Sequence, residues 1–450
     1  MEAGGNTFVG RADSLKTLQG WLRDDSPAHG KTRVGSISGS AGIGKTFLLD
    51  HALRETDLRD RRYTTLRVAA ATNMLPTLAR VVEDLAASAK VLSSKTTEFP
   101  KVTECRHALE WMDRQAQEEV ERGVAHDTEL AKAVAELYGL ARGLVQFVSL
   151  PPAAVVKAVM SFVQPKHVEH VVRLVQKAIA YQTEKPRGLR GRSEARLRNR
   201  LRNQLEKTLA EALVADLGRA LSRGILFPKD EADRGRLLLV VDDYERLSEV
   251  AGDFMLRHLV PMLAQASFDS VIVVLGRDRL VDTHPGWRQH CQPHLLGDIA
   301  LAEFTHQEAE QYVRGRGVTD PEKVQRIVRD TAGYPFLLES EVDDELHGQS
   351  SALARELFVE RTTQWMSPQQ KKWAIRLAFL DEVSIETIPR VLPKDDSEAV
   401  LAWFKREASL RAPTSERWTM RPMIRTKIRE HVRNDSQAMY DELTRAAQGA

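Results

Sequence analysis

Gly39-Ser40-Ala41-Gly42-Ile43-Gly44-Lys45-Thr46 sets glycines, a lysine and a hydroxyl at the spacing G-x-x-x-x-G-K-[ST], which suits a polyphosphate. The glycines let backbone N–H groups curl round an anion without a Cβ in the way, and a following helix would aim its positive end at the phosphates. Lys45 is placed to neutralise β and γ oxygens, and the Thr46 hydroxyl to ligate Mg²⁺. Gly39, Ser40, Ala41, Gly42, Ile43, Gly44, Lys45, Thr46 and the adjoining Phe47 are therefore candidate ATP/ADP-binding residues. A second group, Leu237-Leu238-Leu239-Val240-Val241-Asp242-Asp243, ends an apolar run in two carboxylates. Asp242 would hold Mg²⁺ with Thr46, and Asp243 would orient or deprotonate an attacking water, so Lys45, Asp242 and Asp243, with Arg277 below, are the catalytic candidates. A third run, Val271-Ile272-Val273-Val274-Leu275, ends in Gly276-Arg277, where an arginine could sense a γ-phosphate.

These residues need strands and helices to position them. Thr32 to Ser38 alternates in character and is rich in β-branched residues, whereas Phe47-Leu48-Leu49 with Ala52 and Leu53 keeps helical spacing. The runs at 237–241 and 271–275 read as strands buried on both faces of a parallel sheet, whose C-terminal ends open onto the ligand crevice. The expected fold is an α/β P-loop NTPase domain over residues 1–300, interrupted by a helical insertion at about 76–235. A helical lid over 301–352 and a further helical unit over 353–450, with a hairpin-like tail from Leu410 to Met420, are expected to follow.

With 450 residues, the chain exceeds what one core usually supports. Its 65 basic and 63 acidic residues give no overall electrostatic preference for nucleic acid or membrane. Cys105 and Cys291 are too few for a disulfide framework. The opening MEAGGNTFVG lacks a basic-then-apolar signal pattern, and the most apolar stretch, Gly139 to Val163, is interrupted by Arg142, Pro151, Pro152 and Lys157. No transmembrane segment is read, and a cytoplasmic location is expected.

Within the insertion, Lys185, Arg187, Arg190, Arg192, Arg196, Arg198, Arg200 and Arg202 face only one acid in sequence, Glu194. The Arg187–Arg202 segment could follow a nucleic-acid backbone or form a solvated helix face. No aromatic residue lies within it, which argues against base stacking. The small apolar residues of Ala131 to Ala180 suggest a close-packed helical hairpin broken at Pro151-Pro152. His284, His290, Cys291 and His294 match no standard zinc spacing and read as a surface loop.

Phe8-Val9-Gly10-Arg11, the glycine-rich loop, Asp242-Asp243, Gly276-Arg277, Phe304-Thr305 with Glu308-Ala309, and Gly333-Tyr334-Pro335-Phe336 occur in a meaningful order. Together they resemble the STAND class of signal-transduction P-loop ATPases, relatives of NACHT proteins, apoptotic ATPases and plant disease-resistance switches. The resemblance implies that Phe8 and Val9 border the base, Arg11 approaches the phosphates, Pro335 packs on adenine and Arg277 is the strand-end arginine. It also implies a winged-helix domain over 353–450, with helices near Gln369–Phe379, Ile385–Leu392 and Ser397–Glu407.

Two departures stand out. Where the family often places a Met-His-x-Leu stretch, this chain has Met420-Arg421-Pro422-Met423, making Arg421 a candidate substitute for a phosphate-binding histidine. No effector domain is read before residue 8 and no repeat sensor after the winged helix, so a sensor or effector is expected in the insertion or on a separate protein. By resemblance, the function is an ATP/ADP-dependent molecular switch that self-associates or signals on nucleotide exchange and hydrolyses ATP slowly, in a bacterial, antiviral-defence setting. The alternative is a nucleic-acid-binding ATPase of the origin-recognition or loader type, against which the Gly-x-Pro turn at 333–335 argues.

Overall fold

The computed structural model describes residues 8–23, 31–56, 63–69, 78–92, 99–124, 188–222, 235–348, 358–360, 362–363, 366–393, 396–407, 410–412 and 417–449. The chain runs through α1 (Ala12–Arg23), β1 (Thr32–Ser38), α2 (Lys45–Glu55) and β2 (Tyr63–Val68), then through α3 (Leu78–Leu92), α4 (Pro100–Val124), α5 (Gly188–Asn203) and α6 (Leu205–Ser222). It continues with β3 (Arg236–Val241), α7 (Tyr244–Phe254), β4 (Ser270–Gly276) and β5 (Leu295–Ala300). Three helices follow, α8 (His306–Gly315), α9 (Pro321–Thr331) and α10 (Pro335–His347), and then α11 (Pro368–Leu377), α12 (Ser397–Arg406), α13 (Pro422–Asp435) and α14 (Gln437–Gln448).

The five strands form one sheet in the order β2-β3-β4-β1-β5, with every pair parallel. Strand β4 separates β1 from β3, and its register pairs Ser38 with Gly276 and Val274 with Val241. Gly39, Asp242 and Arg277 therefore emerge together at the C-terminal edge of the sheet, as the apolar runs predict.

Period-two alternation divides these strands between two cores. Leu237, Leu239, Val241, Ile272 and Val274 join residues of α3, α4, α6 and α7. Leu238, Val240, Val271, Val273 and Leu275 join α1, α2 and the C-terminal helices α11 to α14. The expected insertion thus supplies one face of the sheet. Gly35 has no side chain because the Trp21 ring occupies that space: a Cβ there would lie 2.4 Å from Trp21 Cζ3.

Helices α8, α9 and α10 have a small core of their own, with Ala309, Val313, Val324, Ile327, Leu338 and Val342. Their starts follow from the sequence. Thr305 and Glu308 form a capping box for α8, Asp320 accepts from two backbone N–H groups at the start of α9, and Pro335 sits at the first position of α10. Beyond them, helices at Pro368–Leu377 and Ser397–Arg406 and an antiparallel bridge from Arg411 to Met420 lie where two of the expected helices and the hairpin fall, whereas the helix expected at Ile385–Leu392 is only a 3₁₀ turn at Ile388–Arg390.

Strand β5 was not anticipated. Gly297 and Asp298 interrupt its apolar pattern, and Asp298 instead accepts hydrogen bonds from Ser36 Oγ (2.5 Å) and Ser38 Oγ (2.7 Å) of β1. The apolar stretches at Gly139–Val163 and Ala131–Ala180 lie outside the described residues, as does Arg187. Among the described residues, no helix is long and apolar enough to cross a membrane.

Candidate functional site

The glycine-rich loop turns through positive φ at Gly39 (149°), Gly42 (73°) and Gly44 (92°), the last directly before α2. A Cβ on Gly44 would approach Arg11 Nη1 to 3.0 Å, and one on Gly42 would approach Phe336 Cβ to 3.0 Å. Lys45 Nζ donates back across the loop to Gly39 O (2.8 Å) and Ser40 O (3.1 Å). Burial lowers the pKa of its ammonium, while Glu245 acts in the opposite direction.

Thr46 Oγ1 donates to Asp242 Oδ2 at 3.0 Å, which places the two expected Mg²⁺ ligands side by side. The same oxygen accepts from Arg67 Nη2 at 3.0 Å, and Asp242 Oδ1 accepts from the Asp243 backbone N–H at 3.0 Å. Arg67 also reaches Asp50 at 3.1 Å. It was missed in the sequence because β2 carries no motif; the fold sets it beside Asp242 by pairing β2 with β3.

Asp243 adopts left-handed backbone angles at φ 52°, unusual for a residue with a side chain. Burial raises its carboxyl pKa, and the neighbouring Glu245 and Asp242 charges raise it further. Glu245 is a second residue the sequence did not reveal. Its Oε1 lies 2.8 Å from Arg277 Nε, whereas its Oε2 is buried with no hydrogen-bond partner. Arg277, only 5% exposed, also donates from Nη1 to Glu407 Oε1 at 2.9 Å. One guanidinium thus joins the edge of the sheet to the end of α12. Beside it, Asp278 pairs with Arg411 at 3.2 Å.

Phe8, Val9, Arg11, Ala41, Gly42, Gly44, Lys45, Thr46, Phe47, Asp242, Asp243 and Pro335 all line one cavity of about 590 Å³, together with Glu245, Phe304, Phe336 and Glu339. Phe8 stacks on His51 at 3.9 Å between ring centres and more loosely on Phe47. Arg11 donates from Nη2 to Ile43 O (2.5 Å) and Ala302 O (3.3 Å), and lies 4.9 Å over the Phe304 ring. Burial lowers its pKa to about 10. Its backbone N–H, at 3.4 Å, also reaches Glu308, the capping residue of α8. Across the cavity, the Tyr334 hydroxyl donates to the Ala41 carbonyl. Gly333 permits this turn, since a Cβ there would lie 2.2 Å from Phe304 O.

The remaining candidates lie elsewhere. Gly39, Ser40 and Ile43 form the back of the loop, and Arg277 sits behind Glu245. Arg421 does not line the cavity. Its Nη1 lies 3.5 Å from Glu303 and its Nε donates to Arg411 O at 3.1 Å, because the bridge between 411 and 420 holds it against its own hairpin. In the histidine region Cys291 is buried and His294 Nδ1 lies 3.1 Å from Thr32 O; among the described residues no group of three or more His, Cys, Asp or Glu side chains is placed to hold a metal ion.

These residues fit a magnesium nucleotide. The loop offers backbone donors and an ammonium, Thr46 and Asp242 offer adjacent hard oxygen ligands, and Glu245 lines the same cavity.

No family model and no curated protein matches the sequence. Among solved structures, the chain is similar to a signal transduction ATPase with numerous domains, carrying a tetratricopeptide repeat sensor, from Pyrococcus horikoshii. The identity is 13% and the TM-score 0.32 over 99% of this chain and 45% of that one, so this chain spans less than half that protein's length. It is also similar to the Aeropyrum pernix ORC2 protein, solved in ADPNP-ADP complexes, at 11% identity and TM-score 0.43 over 99% of this chain and 98% of the other. A third likeness is Cdc6p from Pyrobaculum aerophilum, at 10% identity and TM-score 0.38 over 100% and 96% of the two chains.

Proposed function

We propose that this chain is a nucleotide-operated switch with ATPase activity, in which one bound nucleotide sets the arrangement of three modules. The supporting observation is convergence. The cavity is walled by the glycine-rich loop and by the α8–α10 lid, which touches that loop through Tyr334 and Ala41, while Glu407 of the C-terminal unit grips Arg277 directly behind Glu245. A ligand that binds differently to two arrangements shifts the balance between them, and here it would meet the loop and the lid directly and the C-terminal unit through Glu245, Arg277 and Glu407.

In this reading, the loop N–H groups and Lys45 bind the phosphates, Phe8, Phe336 and Pro335 enclose the base, and Thr46 with Asp242 would hold Mg²⁺. The ion, when bound, supplies charge neutralisation at the β and γ oxygens. Asp243, with its raised pKa, takes the proton from the attacking water, and Glu245, which lines the same cavity, is the nearby group that orients it. Arg11 keeps the loop in shape through Ile43 rather than acting on the phosphates alone. Arg421 ties the C-terminal unit to Glu303 at the base of the lid. The ADP form is the closed one; exchange for ATP releases the C-terminal unit, here read as a winged helix, and exposes surfaces for self-association. Slow hydrolysis resets the switch.

The test is to identify the nucleotide that co-purifies with the chain, then follow mass in solution and phosphate release after adding ATP or ADP with Mg²⁺. Absence of nucleotide binding would end the proposal. The loader alternative differs in requiring nucleic acid for its hydrolysis, which the same assay reports when DNA is added.

A further inference from the structure

A second cleft, of about 780 Å³, lies between α4, α5 and α6 of the helical insertion. The face of α4 presents Lys101, Trp111 and Arg114, and α5 presents Arg196, Arg198 and Arg200. The indole of Trp111 lies 4.2 Å beneath the Arg198 guanidinium. The sequence argued against stacking because no aromatic residue interrupts the arginine run. The fold removes that objection by bringing one in from another helix.

The charges in this cleft are unevenly used. Arg198 pairs with Glu194 at 3.8 Å, and Arg200 pairs with Glu211. Lys101, Arg114 and Arg196 are exposed and make no ion pair with a carboxylate among the described residues. With Glu104, Glu194 and Glu211 as its carboxylates, the cleft holds more positive than negative side chains. Its cations are spread along two helices instead of converging on a point. A helix the length of α5, at about 1.5 Å per residue, spans several phosphates, so an extended strand matches this layout better than one phosphate group does.

We infer that this cleft binds single-stranded nucleic acid, with the backbone phosphates tracked by Lys101, Arg114 and Arg196 and a base stacked at the Trp111–Arg198 pair. A stacking aromatic beside a basic groove gives binding that tolerates any sequence and weakens steeply with salt. The inference does not depend on the nucleotide site.

The experiment measures binding of a fluorescein-labelled mixed-sequence DNA oligonucleotide, and of the matching RNA, to the full chain by anisotropy at several salt concentrations. Binding should weaken with salt, and the triple variant Lys101→Gln, Arg114→Gln, Arg196→Gln should lower affinity at least about tenfold and flatten the log–log salt slope by roughly 0.7 for each phosphate no longer neutralised. These side chains are exposed, so folding should be unaffected. Trp111→Ala should lower affinity by about tenfold, with Trp111→Phe restoring most of it. Lys45→Ala should bind the oligonucleotide normally, which separates a failure here from a failure of the nucleotide reading. Displacement by millimolar AMP as readily as by unlabelled strand would reassign the cleft to a free nucleotide. No strand binding at low salt, or equal binding by wild type and the triple variant, would overturn the inference.

Discussion

The two clefts are of similar size, about 590 and 780 Å³, yet they are built in opposite ways. The first sits at the end of buried parallel strands, where three glycines and Asp243 take left-handed backbone angles and the buried Arg277 lies 2.8 Å from Glu245. The second is made of three helices whose charged groups stand mainly at the surface. The contrast separates two demands. Positioning a phosphate for reaction needs fixed backbone and desolvated charge, whereas gripping a strand needs only a favourable field and a flat surface to stack on. Changes at the first cleft should therefore be severe and specific, and those at the second graded.

Asp243→Asn should have the largest effect, slowing hydrolysis by about 10²–10⁴-fold while nucleotide still binds. The pH profile sharpens this prediction. Asp243 acts as a base only when ionised, so wild-type hydrolysis should fall as pH drops through its raised pKa, and the Asn variant should lose that limb. The raised pKa makes protonation favour the folded form, and this contribution is lost as pH rises through the folded-state value, so loss of fold at Asp243 cannot produce the acid limb. Equal rates for variant and wild type at neutral pH would move the base to Glu245.

Glu407→Ala comes next, because it leaves Arg277 buried with Glu245 as its remaining carboxylate; such a loss costs up to about 3–5 kcal/mol. Thermal unfolding should report it, and nucleotide release should quicken. Unchanged release would show that the C-terminal unit is not coupled to the cavity. Lys45→Ala should weaken nucleotide binding by about 1.5–3 kcal/mol, measurable by calorimetry. The smallest effect is expected at Arg421→Ala. It breaks a partly exposed pair with Glu303, worth about 0–1 kcal/mol, so release of a fluorescent ADP should change by no more than about fivefold. A larger change would return Arg421 to the role of a phosphate latch.

Most of the first cleft was legible in the sequence because its chemistry is local: the loop, the paired aspartates and Gly333-Tyr334-Pro335 are each contiguous. Arg67, Glu245 and Glu407 were not legible, since each acts through a partner brought close only by the order of strands or the docking of a distant helix. Arg67 meets Asp242 across 175 positions and Arg277 meets Glu407 across 130. At Arg421, a motif position fixes sequence order and not which way a hairpin points. Strand β5 was hidden by its own polar residues, which serve β1. In the second cleft, the arginine run was visible and Trp111 was not.

Glu308 caps α8, yet the same carboxylate receives the backbone N–H of Arg11, whose side chain rests on Ala302 and Phe304 near the base of the lid. The segment from Phe8 to Arg11 is therefore strapped down by the very helix that would have to swing aside. Any rotation of α8 would unfasten the strap, exposing its peptide bonds to a protease, so the rate at which a protease nicks the chain ahead of α1 would serve as a built-in gauge of lid position.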